Sequence, residues 1–334
     1  MILSNILLTG GSGYIGSNVF VALVERGYNP IILDNFSRSK ITRINEIEKI
    51  IKKEIIFEDT DLRDSSRVRN IIKNYKIDAV IHFAAFKDIS ESVKYPLKYY
   101  DNNVQSLIVL LQSMIENNCT KIVYSSSASI YKNHESDVNE PFSENHAIEC
   151  VNPYASTKNI GEQIIKDASI NNNISYSILR YFNPAGSHSS GYLSDNIGIN
   201  SHNLFPNLYK ASKNQIPFIK VYGNDYKTHD GTGVRDYIHI ADLAEGHISA
   251  LNYMIEKKKN SIVNLGSGLG YSVLEVINNY SKACNKSIKY KICPRRIGDK
   301  GSVYANILLS KKLFDWSPRK SLMDICYSSY NVKQ

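Results

Sequence analysis

The 334-residue chain is 43% hydrophobic and 22% charged, which at roughly 150 residues per domain implies about two folded domains and excludes both a disordered chain and a miniature stapled fold. The net charge of +8 suits anionic small molecules, nucleic acid or plain solubility, and so selects none of them. Five scattered cysteines form no CxxC and no apolar run nears the roughly 18 residues of a membrane span, which points to a reducing cytoplasm and away from a disulfide framework, a metal site, secretion or a membrane.

From the start, short apolar runs at Asn5–Thr9, Pro30–Asp34, Glu54–Phe57, Ile77–Phe83, Lys121–Ser125 and Ile174–Leu179 alternate with segments of helical period. That alternation predicts an α/β fold of Rossmann type, a doubly wound parallel sheet covered by helices on both faces. After about Asn183 the rhythm loosens. A loop rich in Ser, Gly and Asn (186–203) leads into a smaller mixed α/β domain, with a short strand at Phe218–Tyr222 and a helix from Ile240. The expected division is 1–183 and 184–334, with later strands near 236–266, Ile262–Leu265 among them, returning to the first sheet.

The first strand runs into Thr9-Gly-Gly-Ser-Gly-Tyr-Ile-Gly16, followed by an amphipathic segment, Asn18–Arg26, that stops at Gly27. Gly10, Gly13 and Gly16 permit a tight turn, bring backbone N–H groups against a pyrophosphate at a helix N-terminus and allow close helix–strand packing. Asp34 ends the second strand at the offset where a carboxylate accepts from adenosine ribose hydroxyls and repels a 2′-phosphate, so the cofactor is predicted to be NAD rather than NADP. Asp61 follows the third strand and Phe83-Ala84-Ala85 the fourth, positions where a dinucleotide approaches the strand ends.

The fifth strand leads into Ser125-Ser-Ser127, and Asn152-Pro-Tyr154-Ala-Ser-Thr-Lys158 follows. Tyr154 and Lys158 are four apart and share one helix face. A free phenol titrates near 10, too high for a general base at neutral pH. An adjacent ammonium and an oxidised nicotinamide both favour the phenolate, so Tyr154 is expected to have a lowered pKa and to accept a proton from a sugar hydroxyl.

Together with Leu33-Asp-Asn35, Tyr99-Tyr-Asp-Asn-Asn103, Arg180-Tyr-Phe-Asn-Pro184, Gly223-Asn-Asp225, Asp230–His239 and Pro294–Asp299, these motifs carry a resemblance along essentially the whole chain. The sequence resembles the extended short-chain dehydrogenase/reductase superfamily and, within it, the UDP-galactose (UDP-glucose) 4-epimerase family. The resemblance implies a hydride shuttle. Tyr154 takes the proton from the sugar O4 while C4 passes its hydride to NAD, the 4-keto sugar rotates, and the hydride returns on the other face. Ser127 then bonds the reacting oxygen and Lys158 holds the nicotinamide ribose. Because NAD is regenerated, the net reaction is an isomerisation.

By the same resemblance Tyr14, Ile15, Asn35, Leu62, Lys87, Asn102 and Tyr181 join the cofactor contacts. A UDP-hexose substrate meets Asn183, Asn203, Tyr222, Arg235, Arg296 and Asp299 in a UDP-sugar-binding second domain. Guanidinium forks suit a diphosphate and a carboxylate suits a ribose diol. Val303 stands where a bulky Tyr would close the pocket to an N-acetyl group, which extends the expected substrates to UDP-N-acetylhexosamines; a one-residue shift would put Tyr304 there instead. A homodimer through the helices near Asn103–Asn117 and the Tyr154 helix is also implied. Lys132, Ala155 and Asn306 depart from the family pattern. The competing readings are an N-acetylhexosamine- or uronate-specific epimerase, a net dehydrogenase and a non-catalytic NAD-binding sensor. A dehydratase is disfavoured because Ala128 and Ser129 follow Ser127 where an acid pair is needed, and nucleic-acid binding because Lys257–Lys259 has no aromatic-basic platform.

Overall fold

The structure, a computed structural model, describes residues 4–132, 140–195, 203–296 and 299–333. Residues 196–202 of the expected loop, and Ile297 and Gly298 of the Pro294–Asp299 motif, lie outside the described residues. The first half carries β1 (Asn5–Thr9), α1 (Tyr14–Glu25), β2 (Asn29–Asp34), α2 (Thr42–Ile51), β3 (Phe57–Asp59), α3 (Ser65–Asn74), β4 (Ala79–His82), α4 (Ile89–Lys94), α5 (Pro96–Tyr100), α6 (Ser106–Glu116), β5 (Lys121–Ser127), α7 (Pro153–Asn172) and β6 (Ser175–Tyr181). The second half carries β7 (Asn183–Ala185), α8 (Leu204–Ser212), β8 (Ile219–Tyr222), β9 (Val234–Arg235), β10 (Tyr237–His239), α9 (Ile240–Lys257), β11 (Ser261–Leu265), β12 (Tyr271–Ser272), α10 (Val273–Cys284), β13 (Tyr290–Cys293), β14 (Ser302–Val303), α11 (Leu308–Phe314) and α12 (Leu322–Tyr330).

One compact unit comprises residues through 131, 147–181 and 244–263. Its sheet has the order β11-β6-β5-β4-β1-β2-β3, and the pairs β1–β2, β2–β3, β1–β4, β4–β5 and β5–β6 are all parallel. Chain direction across the sheet reverses between β1 and β4, the switch point at which such sheets bind dinucleotides. Along β1, Leu7 joins Ile31, Val80, Ile122 and Ile178 in a core with α3, α6 and α7, while the alternate residues Ile6 and Leu8 are equally buried on the opposite face. Burial on both faces is why these strands read as continuous apolar runs.

Two boundaries differ most from the sequence reading. The helix after the glycine turn begins at Tyr14 and not Asn18, because its first turn holds Gly16 and Ser17, which add no apolar periodicity. The third strand forms at Phe57–Asp59 and not Glu54–Phe57: Ile32 pairs with Phe57 and Asp34 with Asp59, so the ladder follows the end of β2 and leaves Ile56 exposed.

The other unit comprises 132–146, 182–243 and 264–334. Short strands dominate it: β7 pairs with β10, β8 with β13, and β9 lies between β12 and β14. Thus β10 pairs with β7 outside the seven-stranded sheet, whereas β11 joins that sheet at its edge. The core gathers Phe205, Leu208, Ile219, Val221, Tyr280 and Ile325 from α8, β8, α10 and α12.

Candidate active site

Gly10 adopts a left-handed φ of +68°, and a Cβ there would sit 2.7 Å from the Ala84 backbone nitrogen. A Cβ on Gly16 would lie 2.6 Å from the Gly10 carbonyl oxygen. Both positions therefore require glycine. Gly13 caps α1 without a side-chain hydrogen bond, which leaves first-turn N–H groups to a ligand, as phosphate-binding turns do. Tyr14 and Ile15 open that helix and Phe83 and Ala84 flank the turn at the end of β4. These features fit a dinucleotide.

Asp34, at the tip of β2, accepts from the Ser12 amide (3.1 Å) and hydroxyl, and from the Phe36 amide (2.9 Å) and the Ser39 hydroxyl (3.2 Å). The carboxylate is held as an acceptor beside the glycine turn. Asp61 is gripped by Arg63 (2.8 Å) and Asn35 (3.0 Å), and the Arg63 hydrogen bond, ahead of the opposing effect of burial, holds its carboxyl well below the usual range. Leu62 and Tyr181 are buried, Lys87 is exposed, and Asn102 donates to the Asn103 side chain at 3.0 Å. Asn103, absent from the expected site set, bonds the Phe86 amide and carbonyl and the Thr157 hydroxyl, tying the loop after β4 to α7.

Tyr154, Lys158 and Ser127 come together at the end of β5. The Ser127 side chain stands by the Tyr154 phenol and favours its ionised form, and Lys158 Nζ donates to the Ser125 carbonyl at 2.6 Å while lying 5.2 Å from the centre of the Tyr124 ring. Lys158 is buried, and burial lowers its pKa to about 7. The expected lowering of the Tyr154 pKa draws on an oxidised nicotinamide as well as on the ammonium; the protein's own surroundings act in both senses, burial pushing the phenol up and the Ser127 side chain opposing it. The low-dielectric site that strengthens each interaction also disfavours both charges. Beneath Lys158, His82 stacks on Tyr124, bonds Thr9 Oγ1 at 2.7 Å and is held neutral by burial, with a pKa near 3.

Within the other unit, Arg235 and Arg296 both bind Asp299, the latter at 2.9 Å, and the Arg296 guanidinium lies 4.9 Å from the centre of the Tyr222 ring. Val303 pairs with Arg235 across β14 and β9. Five of the expected substrate residues thus form one cluster. Asn183 is exposed on β7, where its amide donates to the Asp236 carbonyl, and Asn203 begins α8 with its side chain on Asp195. Of the departures, Asn306 uses its side-chain oxygen to accept from the Leu308 amide (3.0 Å), a bond that an Asp would also make.

Residues 6–266 match the NAD dependent epimerase/dehydratase family. The chain is 40% identical over 326 residues to a UDP-glucose 4-epimerase of Bacillus subtilis, covering 97% of this chain and 95% of that one. It superposes on a UDP-glucose 4-epimerase from Stenotrophomonas maltophila, crystallised with NAD and formylated UDP-arabinopyranose, with a TM-score of 0.95 and 36% identity, covering 98% of this chain and 97% of that one. The enzyme from Bifidobacterium longum in complex with NAD+ and UDP gives a TM-score of 0.91 at 40% identity and the same coverage. The chain belongs to the NAD dependent epimerase/dehydratase family.

Proposed function

We propose that the protein is a UDP-glucose/UDP-galactose 4-epimerase that keeps NAD bound through turnover. The observation that carries this reading is the joining of Tyr154, Lys158 and Ser127 at the end of β5 in a fold whose glycine turn fits a dinucleotide; relatives similar over nearly the whole chain bear the same activity. Gly10, Gly13 and Gly16 would face the pyrophosphate and Asp34 the adenosine ribose. Bound NAD supplies the hydride acceptance and return that inversion at C4 requires. Tyr154 holds and returns the proton on the sugar O4, Ser127 bonds both that oxygen and the phenol, and Lys158 orients the nicotinamide ribose. Arg235 and Arg296 bind the diphosphate, Tyr222 lies by the uracil, Asp299 accepts from the uridine ribose, and Asn183 and Asn203 contact the sugar and diphosphate. The NAD role falls to the first unit and the UDP-sugar role mainly to the second.

Exposed apolar side chains on α4–α7, among them Val93, Leu97, Ile108 and Ile170, support a homodimer through these helices, which sedimentation would reveal. All five cysteines are free, which supports a reducing, cytoplasmic setting. Among the described residues no helix is long and apolar enough to cross a membrane.

The test is incubation of the purified protein, without added cofactor, with UDP-galactose and with UDP-N-acetylgalactosamine. UDP-glucose should appear without net build-up of the reduced-nicotinamide band; stoichiometric reduction with an oxidised sugar would make the protein a dehydrogenase. The small Val303 side chain should admit the acetylated sugar, and Val303→Tyr should suppress that substrate selectively by clash. Equal loss on both substrates would remove Val303 from the gate.

A further inference from the structure

We propose that Glu162 is a positioning residue for the reaction, one that holds the serine end of β5 in register with the catalytic face of α7; this rests on the reading of Tyr154, Lys158 and Ser127 as the catalytic set. Tyr154, Lys158 and Glu162 follow one another at four-residue intervals and so form a single stripe along the helix. They meet three consecutive serines. Tyr154 meets the Ser127 side chain, Lys158 bonds the Ser125 carbonyl at 2.6 Å, and Glu162 Oε1 accepts from the Ser126 hydroxyl at 2.6 Å.

Arg180 completes the clamp. It is the ladder partner of Ser126 on β6, so the two side chains stand on the same face of the sheet. Its Nε donates to Glu162 Oε1 at 2.9 Å, its Nη2 to Oε2 at 2.7 Å, and its Nη1 to the Tyr131 hydroxyl at 3.1 Å. Glu162 is 0% exposed, Arg180 3% and Ser126 1%.

An ion pair this deeply buried is a poor source of stability, since apolar residues of similar volume commonly do as well. What an apolar pair cannot supply is a directional bond to Ser126, whose two neighbours present the groups that Tyr154 and Lys158 engage. A slip of about 1 Å between strand and helix is enough to cost on the order of 10²-fold in rate, and the carboxylate prevents that slip.

The experiment compares full-length Ser126→Ala, Glu162→Gln and the apolar pair Glu162→Leu/Arg180→Leu with wild type and Tyr154→Phe, reading kcat and KM for UDP-galactose, melting temperature and bound cofactor. Ser126→Ala leaves the ion pair intact; it should lower kcat by about tenfold while KM, cofactor content and melting temperature stay close to wild type. The apolar pair should melt above Glu162→Gln without recovering kcat. The inference is overturned if Ser126→Ala turns over like wild type, or if kcat simply follows melting temperature across the set. An active Tyr154→Phe would instead overturn the catalytic reading, whereas an inactive Tyr154→Phe beside a wild-type Ser126→Ala would overturn the positioning role alone.

Discussion

Replacing Lys158 by Met separates what this lysine costs the fold from what it gives the reaction. Burial holds the lysine at about 7, whereas its unperturbed value is 10.5. Below pH 7 it is charged in both the folded and unfolded states, and folding carries the full cost of enclosing an ammonium whose one hydrogen-bond partner among the described residues is the Ser125 carbonyl. As pH rises, the folded protein releases the proton first. The unfolded chain then binds more protons, so stability rises with pH through the window from 7 to 10.5. At about 1.4 kcal/mol per pH unit for one proton, the wild type should gain about 2 kcal/mol relative to Lys158→Met between pH 7 and 9, because near pH 7 the folded lysine is still half protonated. Groups common to the two proteins cancel in that difference. Urea unfolding at pH 7, 8 and 9 with linear extrapolation measures it. Lys158→Met should be the more stable protein at pH 7 and should lose most turnover. Parallel stability profiles, or a wild type that weakens relative to the variant as pH rises, would refute the account of a buried, depressed lysine.

Two further substitutions test the cofactor turn and the helix that carries Tyr154, Lys158 and Glu162. Asp34→Ala should weaken NAD binding by roughly tenfold or more, the cost of losing hydrogen bonds to a charged acceptor, and should narrow the preference over NADP; an unchanged NAD-to-NADP ratio in titrations would show that another group reads the ribose. Gly161→Ala would set a methyl 2.7 Å from Cζ of Tyr124 and 3.2 Å from Cδ2 of Leu107. Overpacking of about 1–3 kcal/mol then outweighs the roughly 1 kcal/mol that Ala gains over Gly in a helix, so the urea midpoint should fall; a rise would mean that α7 has room against β5.

The sheet was legible because parallel strands buried on both faces cannot hide their apolar runs, and β1, β2 and β5 lie where those runs stand. The third strand misled because Ile55 and Ile56 resemble a strand, while the ladder with β2 selects Phe57–Asp59. Tyr154, Lys158 and Ser127 were visible from helix spacing and a serine run at a strand end. Glu162 was one more step of the same spacing, yet nothing local revealed that Arg180, eighteen positions on, would reach it through β6. Asn103 escaped because its bonds to Phe86 and Thr157 cross distant segments. Helix spacing shows the ammonium four residues from Tyr154 but not the burial that pushes the phenol up and the lysine down.

If the Tyr154 phenol carries the proton while the other groups bind and orient, its loss should stop turnover and spare binding. The measurement is turnover of UDP-galactose by Tyr154→Phe beside UDP binding and bound cofactor. Removal of a general base that acts on the proton in flight predicts a loss of roughly 10²-fold or more in kcat, with UDP affinity and NAD content close to wild type. A Phe variant that turns over near the wild-type rate would contradict the account.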